Sequence, residues 1–231
     1  MDVEGRDADN AGALADHRPL RLGGDAAHFV RGHVKRSTLR LALAIAGLVV
    51  GVGAAQAAPN PKAMVLKLTD LPASFSLEKG YYCDNACAAK EGSTPLSRFQ
   101  ALGRITGYAA QYTREALVGA IRIESHASLY KTAKGAHQSW LDSIKKAGNK
   151  GGGSPRFKEL SLGGRIGHEA RYYSTTGTFG GVKATIYVVI WRYGNVKASL
   201  VLGGVAGTVE PALGANLARK QQIRIKRPRA R

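Results

Sequence analysis

The sequence is poor in the residue spacings that build catalytic centres. His126, His137 and His168 stand isolated, without H-x-x-H or H-E-x-x-H spacing, so no pair of imidazoles is set on one helix face for zinc. Each reads as a helix-surface or strand-surface residue. No G-x-S-x-G elbow and no Walker loop occurs, which leaves no nucleophile turn and no phosphate cradle of that kind. Thr176-Gly177-Thr178-Phe179-Gly180-Gly181 is glycine-rich, but it joins two predicted strands and opens no helix, so its glycines serve a hairpin turn. Ser125 and His126 are neighbours on a predicted strand and point to opposite faces, which rules them out as nucleophile and base. Cysteine is limited to Cys83 and Cys87. Their spacing is not the C-x-x-C of redox enzymes, and a metal needs two further ligands that no nearby histidine supplies. Acidic residues are few, 16 Asp and Glu against 34 Lys and Arg, and of those after residue 57 only Glu124 and Glu169 fall inside predicted strands. A carboxylate pair across neighbouring strands could serve a glycosidase, but no spacing here places the two at the required separation. Repeats of solenoid period are absent as well. No metal and no cofactor is expected.

What the sequence does contain is an export signal. Arg31, Lys35, Arg36 and Arg40 precede an uncharged apolar run, Leu41 to Val52, broken only by Gly47 and Gly51. Ala55-Gln56-Ala57 then supplies small residues around a cleavage point between Ala57 and Ala58. An uncleaved membrane anchor is the alternative, because Leu41 to Ala58 is uncharged and a spanning helix needs about 20 apolar residues. The shortness of the strongly apolar part, with Pro59 and Pro61 following, favours cleavage. Lys35-Arg36 only partly matches a twin-arginine pair, so general secretion is the expected route. Residues 1–29 begin acidic and show no apolar periodicity, and they read as a non-native or disordered leader, with translation starting at Val30 or Val34. Residues 30–57 are then the signal, 58–225 one exported α+β domain and 226–231 a basic disordered tail. In an oxidising compartment the nearest pairing for Cys83 and Cys87 is with each other, which pins a local turn.

Periodicity outlines the exported part. Ala63 to Leu71 packs apolar residues before Pro72, Lys79 to Thr94 reads as loop or a stapled turn, and Pro95 to Leu102 allows a short helix. Arg104 to Tyr112 and Ala116 to Tyr130 are rich in β-branched and aromatic residues and predict two strands. Thr132 caps a predicted helix to about Ala147, with Ala136, Trp140 and Ile144 on one face, and Asn149 to Pro155 ends it in a glycine-rich loop. Three strands follow at Arg165 to Ser174, Val182 to Tyr193 and Val196 to Leu202, then a helix over Thr208 to about Ile223 with Pro211 in its first turn. Gly194-Asn195 is a two-residue hairpin turn. Tyr193 then faces Val196, Trp191 faces Ala198, Val189 faces Leu200 and Tyr187 faces Leu202 on one side, while Arg192 lies beside Lys197 on the other, with Ile190, Val188 and Ile186 deeper. The expected fold class is α+β: an antiparallel sheet of about five strands with helices packed on one face.

All but one unit of the net charge of +18 lies after residue 57. Such a surface attracts polyanions. Arg219, Lys220, Arg224, Lys226 and Arg227 crowd the C-terminus and are the candidate polyanion contacts, although a run of this kind also reads as a solvated tail. No aromatic is interleaved there to stack on bases, so acidic wall polymers or anionic lipid surfaces fit better than nucleic acid.

Several stretches carry a family resemblance: Asp70-Leu71-Pro72 with Ser74-Phe75, Gly103-Arg104 with Gly107-Tyr108, Ile166-Gly167-His168-Glu169-Ala170, and Arg192-Tyr193-Gly194-Asn195-Val196. Together they resemble the exported domains of actinobacterial receptor Ser/Thr kinases, which serve as extracellular sensors, and related small lipoproteins, often of PsbP-like fold. The resemblance covers most of Ala63 to Ile225 and implies an antiparallel sheet with helices, a ligand cleft and no catalysis. Two departures stand out. His168 occupies a position where an acidic residue is expected, and no lipobox cysteine follows the signal, so no lipid anchor is expected. The residues ahead of the signal do not read as a kinase domain, so a receptor kinase is not expected.

The expectation is therefore an exported, non-enzymatic binding or sensing domain at the cell envelope, its ligand unknown. Arg171, Tyr173, Tyr187, Trp191 and Arg192 of the late strands are the candidate cleft residues. A basic envelope protein that binds acidic polymers or lipid surfaces is the first alternative. A hydrolase using a carboxylate or His168 in the cleft is the second. Membrane contact is expected only if the signal stays uncleaved.

Overall fold

The computed structural model describes residues 59–92, 94–115, 119–148, 157–179 and 181–227. The leader, the signal with its cleavage point, the glycine-rich loop at 149–156 and residues 228–231 lie outside the described residues. Among the described residues two 3-10 turns come first, Pro61–Met64 and Leu68–Asp70. Seven strands follow: β1 (Ser76–Cys83), β2 (Arg104–Glu115), β3 (Ala120–Tyr130), β4 (Lys158–Leu160), β5 (Glu169–Phe179), β6 (Val182–Tyr193) and β7 (Val196–Val205). Four helices accompany them: α1 (Asn85–Glu91), α2 (Leu96–Ala101), α3 (Ala133–Gly148) and α4 (Pro211–Lys226). The strands make one antiparallel sheet in the order β1-β2-β3-β7-β6-β5-β4.

The β6–β7 hairpin shows how local chemistry sets this register. Gly194 sits at φ 58°, a conformation that costs glycine nothing, and closes a two-residue turn. Tyr193 then pairs with Val196, Trp191 with Ala198, Val189 with Leu200 and Tyr187 with Leu202, as the alternation of the sequence requires. Strand β3 docks beside β7, so the sheet is closed up around sequence neighbours except at the β3–β7 contact. Helix α3 begins where Thr132 accepts a 3.0 Å bond from the Gly135 amide, which satisfies one of the orphan donors of the first turn.

The expected count of five strands becomes seven. Strand β1 lies at the sheet edge and is largely exposed, with the sequence SLEKGYYC and a register irregularity between Leu77 and Lys79. A polar edge strand has no apolar alternation to announce it, and only pairing with β2 makes it a strand. Strand β4 is three residues long and likewise exists through its partner, β5.

Helices also cover both faces instead of one. On the first face, Met64, Val65 and Leu66 pack with Tyr112, Ile123, Trp191, Leu200 and Leu202 and with Leu217 and Ile225 of α4. Ser125 is the polar hub of that layer: its hydroxyl accepts from the Leu66 amide at 3.0 Å and donates to Gln221 Oε1 at 2.9 Å, while Gln221 Nε2 donates to the His126 carbonyl at 2.9 Å. A buried hydroxyl so fully engaged is structural. On the second face α3 covers the end of the sheet near the β6–β7 turn, with Trp140 Nε1 donating to the Ile190 carbonyl at 3.3 Å and Tyr130 Oη donating to Ser139 at 2.6 Å. The helix periodicity of both segments was plain, but the face each takes depends on the connection, so the sequence could not divide them between the two sides.

Candidate functional site

The five candidate cleft residues divide between the two faces of the sheet. Tyr187 and Trp191 point into the α4 layer; they are 8% and 0% exposed, and their polar ends donate to the Val209 carbonyl and to Gln222 Oε1. Both are packed core residues. Arg171, Tyr173 and Arg192 belong to the other face with α3. Arg171 pairs with Glu159 at 3.3 Å and lies over the Trp140 ring, and Tyr173 is buried edge-on against Phe157. Hydrophobic burial explains the division: in a hairpin, odd and even residues part to opposite sides, so Tyr187 and Trp191 cannot share a cleft with Arg192.

Arg192 makes a two-pronged contact with Glu169, at 3.1 and 3.2 Å, and His137 Nδ1 lies 2.8 Å from the same carboxylate. This brings together three residues that are 23 and 32 positions from one another in the chain pairs concerned. The arrangement is an ion-pair network with little catalytic capacity. The Arg192 hydrogen bonds, with His137, hold Glu169 below the usual carboxylate range against the opposing effect of burial. A general acid needs the opposite shift, and a general base needs a free lone pair. His168 packs its ring on Tyr193 with centroids 4.8 Å apart and accepts a 3.4 Å bond from the Gly194 amide, so it braces the hairpin turn. Cys83 and Cys87 are bridged. Their sulfurs, with Glu91 nearby, form the one metal-like grouping among the described residues, and bridged sulfurs are not thiolate ligands.

The candidate polyanion contacts turn largely inward. Arg224 clasps Asp70 at 2.5 and 2.9 Å, Lys220 donates to the Asp70 carbonyl at 2.5 Å, and Arg219 donates to Asn216 and to the Leu162 carbonyl. Lys226 belongs to α4, with its ammonium 5.8 Å from the centre of the Tyr193 ring, and Arg227 is the residue that follows the helix. The cationic run is therefore mostly a clamp that ties α4 to the 3-10 segment and to the β4–β5 connection.

A concavity lies elsewhere, on the half of the second sheet face that α3 leaves open. It measures about 500 Å³ and is lined by Gly119, Ala120, Arg122 and Glu124 from the β2–β3 side and by Val182, Ala184, Ile186, Val201, Gly203, Gly204 and Val205. Its floor follows from the registers: Gly203 stands between Arg122 of β3 and Ile186 of β6, and Val205 lies opposite Ala184. Gly203 makes the floor low. A Cβ added there would meet nothing nearer than Ile186 Cγ1 at 3.7 Å, an ordinary contact, so the backbone does not require glycine and the missing side chain is what leaves the space. Val182 at the rim is 48% exposed. Glu124 hydrogen-bonds His126 Nε2 at 3.3 Å, which with the Arg122 charge keeps its carboxyl below the usual range in spite of burial.

None of the five residues chosen from the sequence lines this hollow. The signal that could have found it is the step from Leu202 to Gly203-Gly204 at the end of β7, read together with the hairpin register that sets Ile186 beside Gly203. Alternation alone marks Ile186 and Val201 as apolar on the outer face, and apolar residues on a predicted solvent face call for a cover or a ligand.

No protein-family model and no curated protein matches the sequence. Among solved structures, the extracellular domain of PknH from Mycobacterium tuberculosis is similar, with a TM-score of 0.42 and 10% sequence identity over 70% of this chain and 94% of that domain.

Proposed function

We propose that the chain is an exported, non-enzymatic domain of PsbP-like type that binds a small ligand, as a sensor or carrier at the cell envelope. The observation that carries the reading is the apolar hollow on the open half of the sheet. Its volume falls within the roughly 300–1,000 Å³ of small-molecule sites, and its lining is mostly apolar with few polar groups, the usual character of such sites. The bridged Cys83–Cys87 pair supports an oxidising compartment, in keeping with the export signal read from residues 30–57. The hydrolase reading loses support from the way Arg192 occupies Glu169. The acidic-polymer reading rests on net charge, and three of its five named residues are spent on internal partners.

A neutral fluorescent naphthylamine tests the reading. N-phenyl-1-naphthylamine should brighten on binding the purified full chain, and Gly203→Leu, which raises a side chain into the hollow without straining the backbone, should abolish the signal while leaving the unfolding midpoint within a few degrees. Equal brightening with both proteins, or none with the wild type, overturns the assignment of the hollow as the ligand site.

A further inference from the structure

Resting on the hollow as a ligand site, we propose that its occupant is a single-chain amphiphile with an anionic head, the chain lying on the floor around Gly203 and the head held by Arg122. Four observations lead there. The floor is apolar: Ile186, Val201, Val205 and Ala184 surround Gly203 and offer no hydrogen-bonding side chain. Arg122 stands in register with Gly203, at the boundary between that floor and solvent, so a chain over the glycine brings its end group to the guanidinium.

Arg122 is also uncommitted. Arg98 is spent on Asp142, Arg104 on Asn85 and the Cys83 carbonyl, Arg171 on Glu159, Arg192 on Glu169 and Arg224 on Asp70, while Arg114 lies over the Phe75 ring and, paired with Ile121, belongs to the opposite face of the sheet from the hollow. Among the described residues Arg122 has no hydrogen bond and no ion pair, and its only electrostatic neighbour is Glu124, whose carboxylate already engages His126. A guanidinium fork with free donors suits a carboxylate, sulfate or phosphate. Finally, the net charge of +18 draws anions toward the molecule at long range.

Glu124 decides the details. It lies on β3 two residues toward α3 and stays ionised, so an acidic head is repelled on that side of Arg122 and seats on the side of Gly119 and Ala120. The volume favours a single chain over a two-chain lipid, since 500 Å³ lies in the lower half of the range for small-molecule sites.

Displacement of N-phenyl-1-naphthylamine from the full chain reads the head preference directly, using laurate, dodecanol and dodecyltrimethylammonium below their micelle concentrations. Laurate should displace the probe at a concentration about tenfold lower than the other two, the scale of one charge-assisted contact. Arg122→Gln should remove that preference, read as the ratio of laurate to dodecanol displacement against the variant's own probe affinity, Arg122→Lys should keep most of it, and Glu124→Gln should strengthen laurate binding. Equal displacement by laurate and the cation, or a preference that survives Arg122→Gln, overturns the anionic head while probe binding leaves the ligand site standing. Failure of the wild type to bind the probe overturns both.

Discussion

Lys197 faces Arg192 across the β6–β7 hairpin, and like charges so placed are unfavourable unless each finds other company. Arg192 finds Glu169. Lys197 hydrogen-bonds to hydroxyls, at 2.7 Å from Ser143 and 3.4 Å from Ser139 of α3, with the Asp142 carboxylate as a more distant counter-charge. Burial, with the charges of Arg104 and Lys146 adding to it, pulls its ammonium down to about 8 from the usual 10.5. The folded chain then holds this proton less tightly than the unfolded chain, so stability should rise as pH climbs from about 8 to 10.5. Lys197→Met should flatten that rise and stabilise the protein by about 1–2 kcal/mol at pH 7, a figure discounted because part of the side chain stays accessible. Urea unfolding across this pH range checks both. The opposed pair was legible in the sequence once Gly194-Asn195 was read as a turn. Its remedy was not, because Glu169, Ser139 and Ser143 come to it from β5 and from a helix, and no local spacing records such contacts.

At the scale of elements, short-range chemistry and pairing divided the work. Helix α3, the β6–β7 hairpin and α4 were legible because each carries its own period, cap or turn. Strand β1 and helix α1 were not, since a polar edge strand and a seven-residue helix depend on what they pack against. The Cys83–Cys87 bridge joins the end of β1 to α1, where Asp84 already caps the helix by accepting from the Cys87 amide at 2.8 Å. A loop this small restricts the unfolded chain only slightly. Replacing both cysteines by serine should therefore cost no more than about 2 kcal/mol and leave the sheet intact. Thermal unfolding with amide exchange at Tyr81 and Tyr82 tests it, and collapse of the whole transition would show that the bridge holds more than its corner.

Among the described residues, the early 3-10 segment and the last helix are tied together by Asp70 and Arg224, 154 residues apart. Both side chains are mostly buried, at 17% and 13% exposure. Burial alone would raise the Asp70 pKa, but Arg224, the Lys67 amide and Lys220 outweigh it and hold the carboxyl below its usual value of 3.8. The pair's contribution is thus present above pH 3.8 and is lost as pH falls through the lower folded value. Arg224→Leu should cost about 3 kcal/mol at pH 7 by leaving a buried carboxylate unpaired, and much less near pH 2, which acid titration of the unfolding midpoint reads out. By itself the sequence determined the periods, the turn at Gly194, the cationic C-terminus and the residues set to alternate between faces, because these depend on neighbours a few positions away. Only the tertiary structure decided that helices would take both faces, that the cationic run would clasp Asp70, and that the space over Gly203 would stay open beside Arg122. Each of those outcomes depends on which distant segments meet, and the chain order carries no record of that.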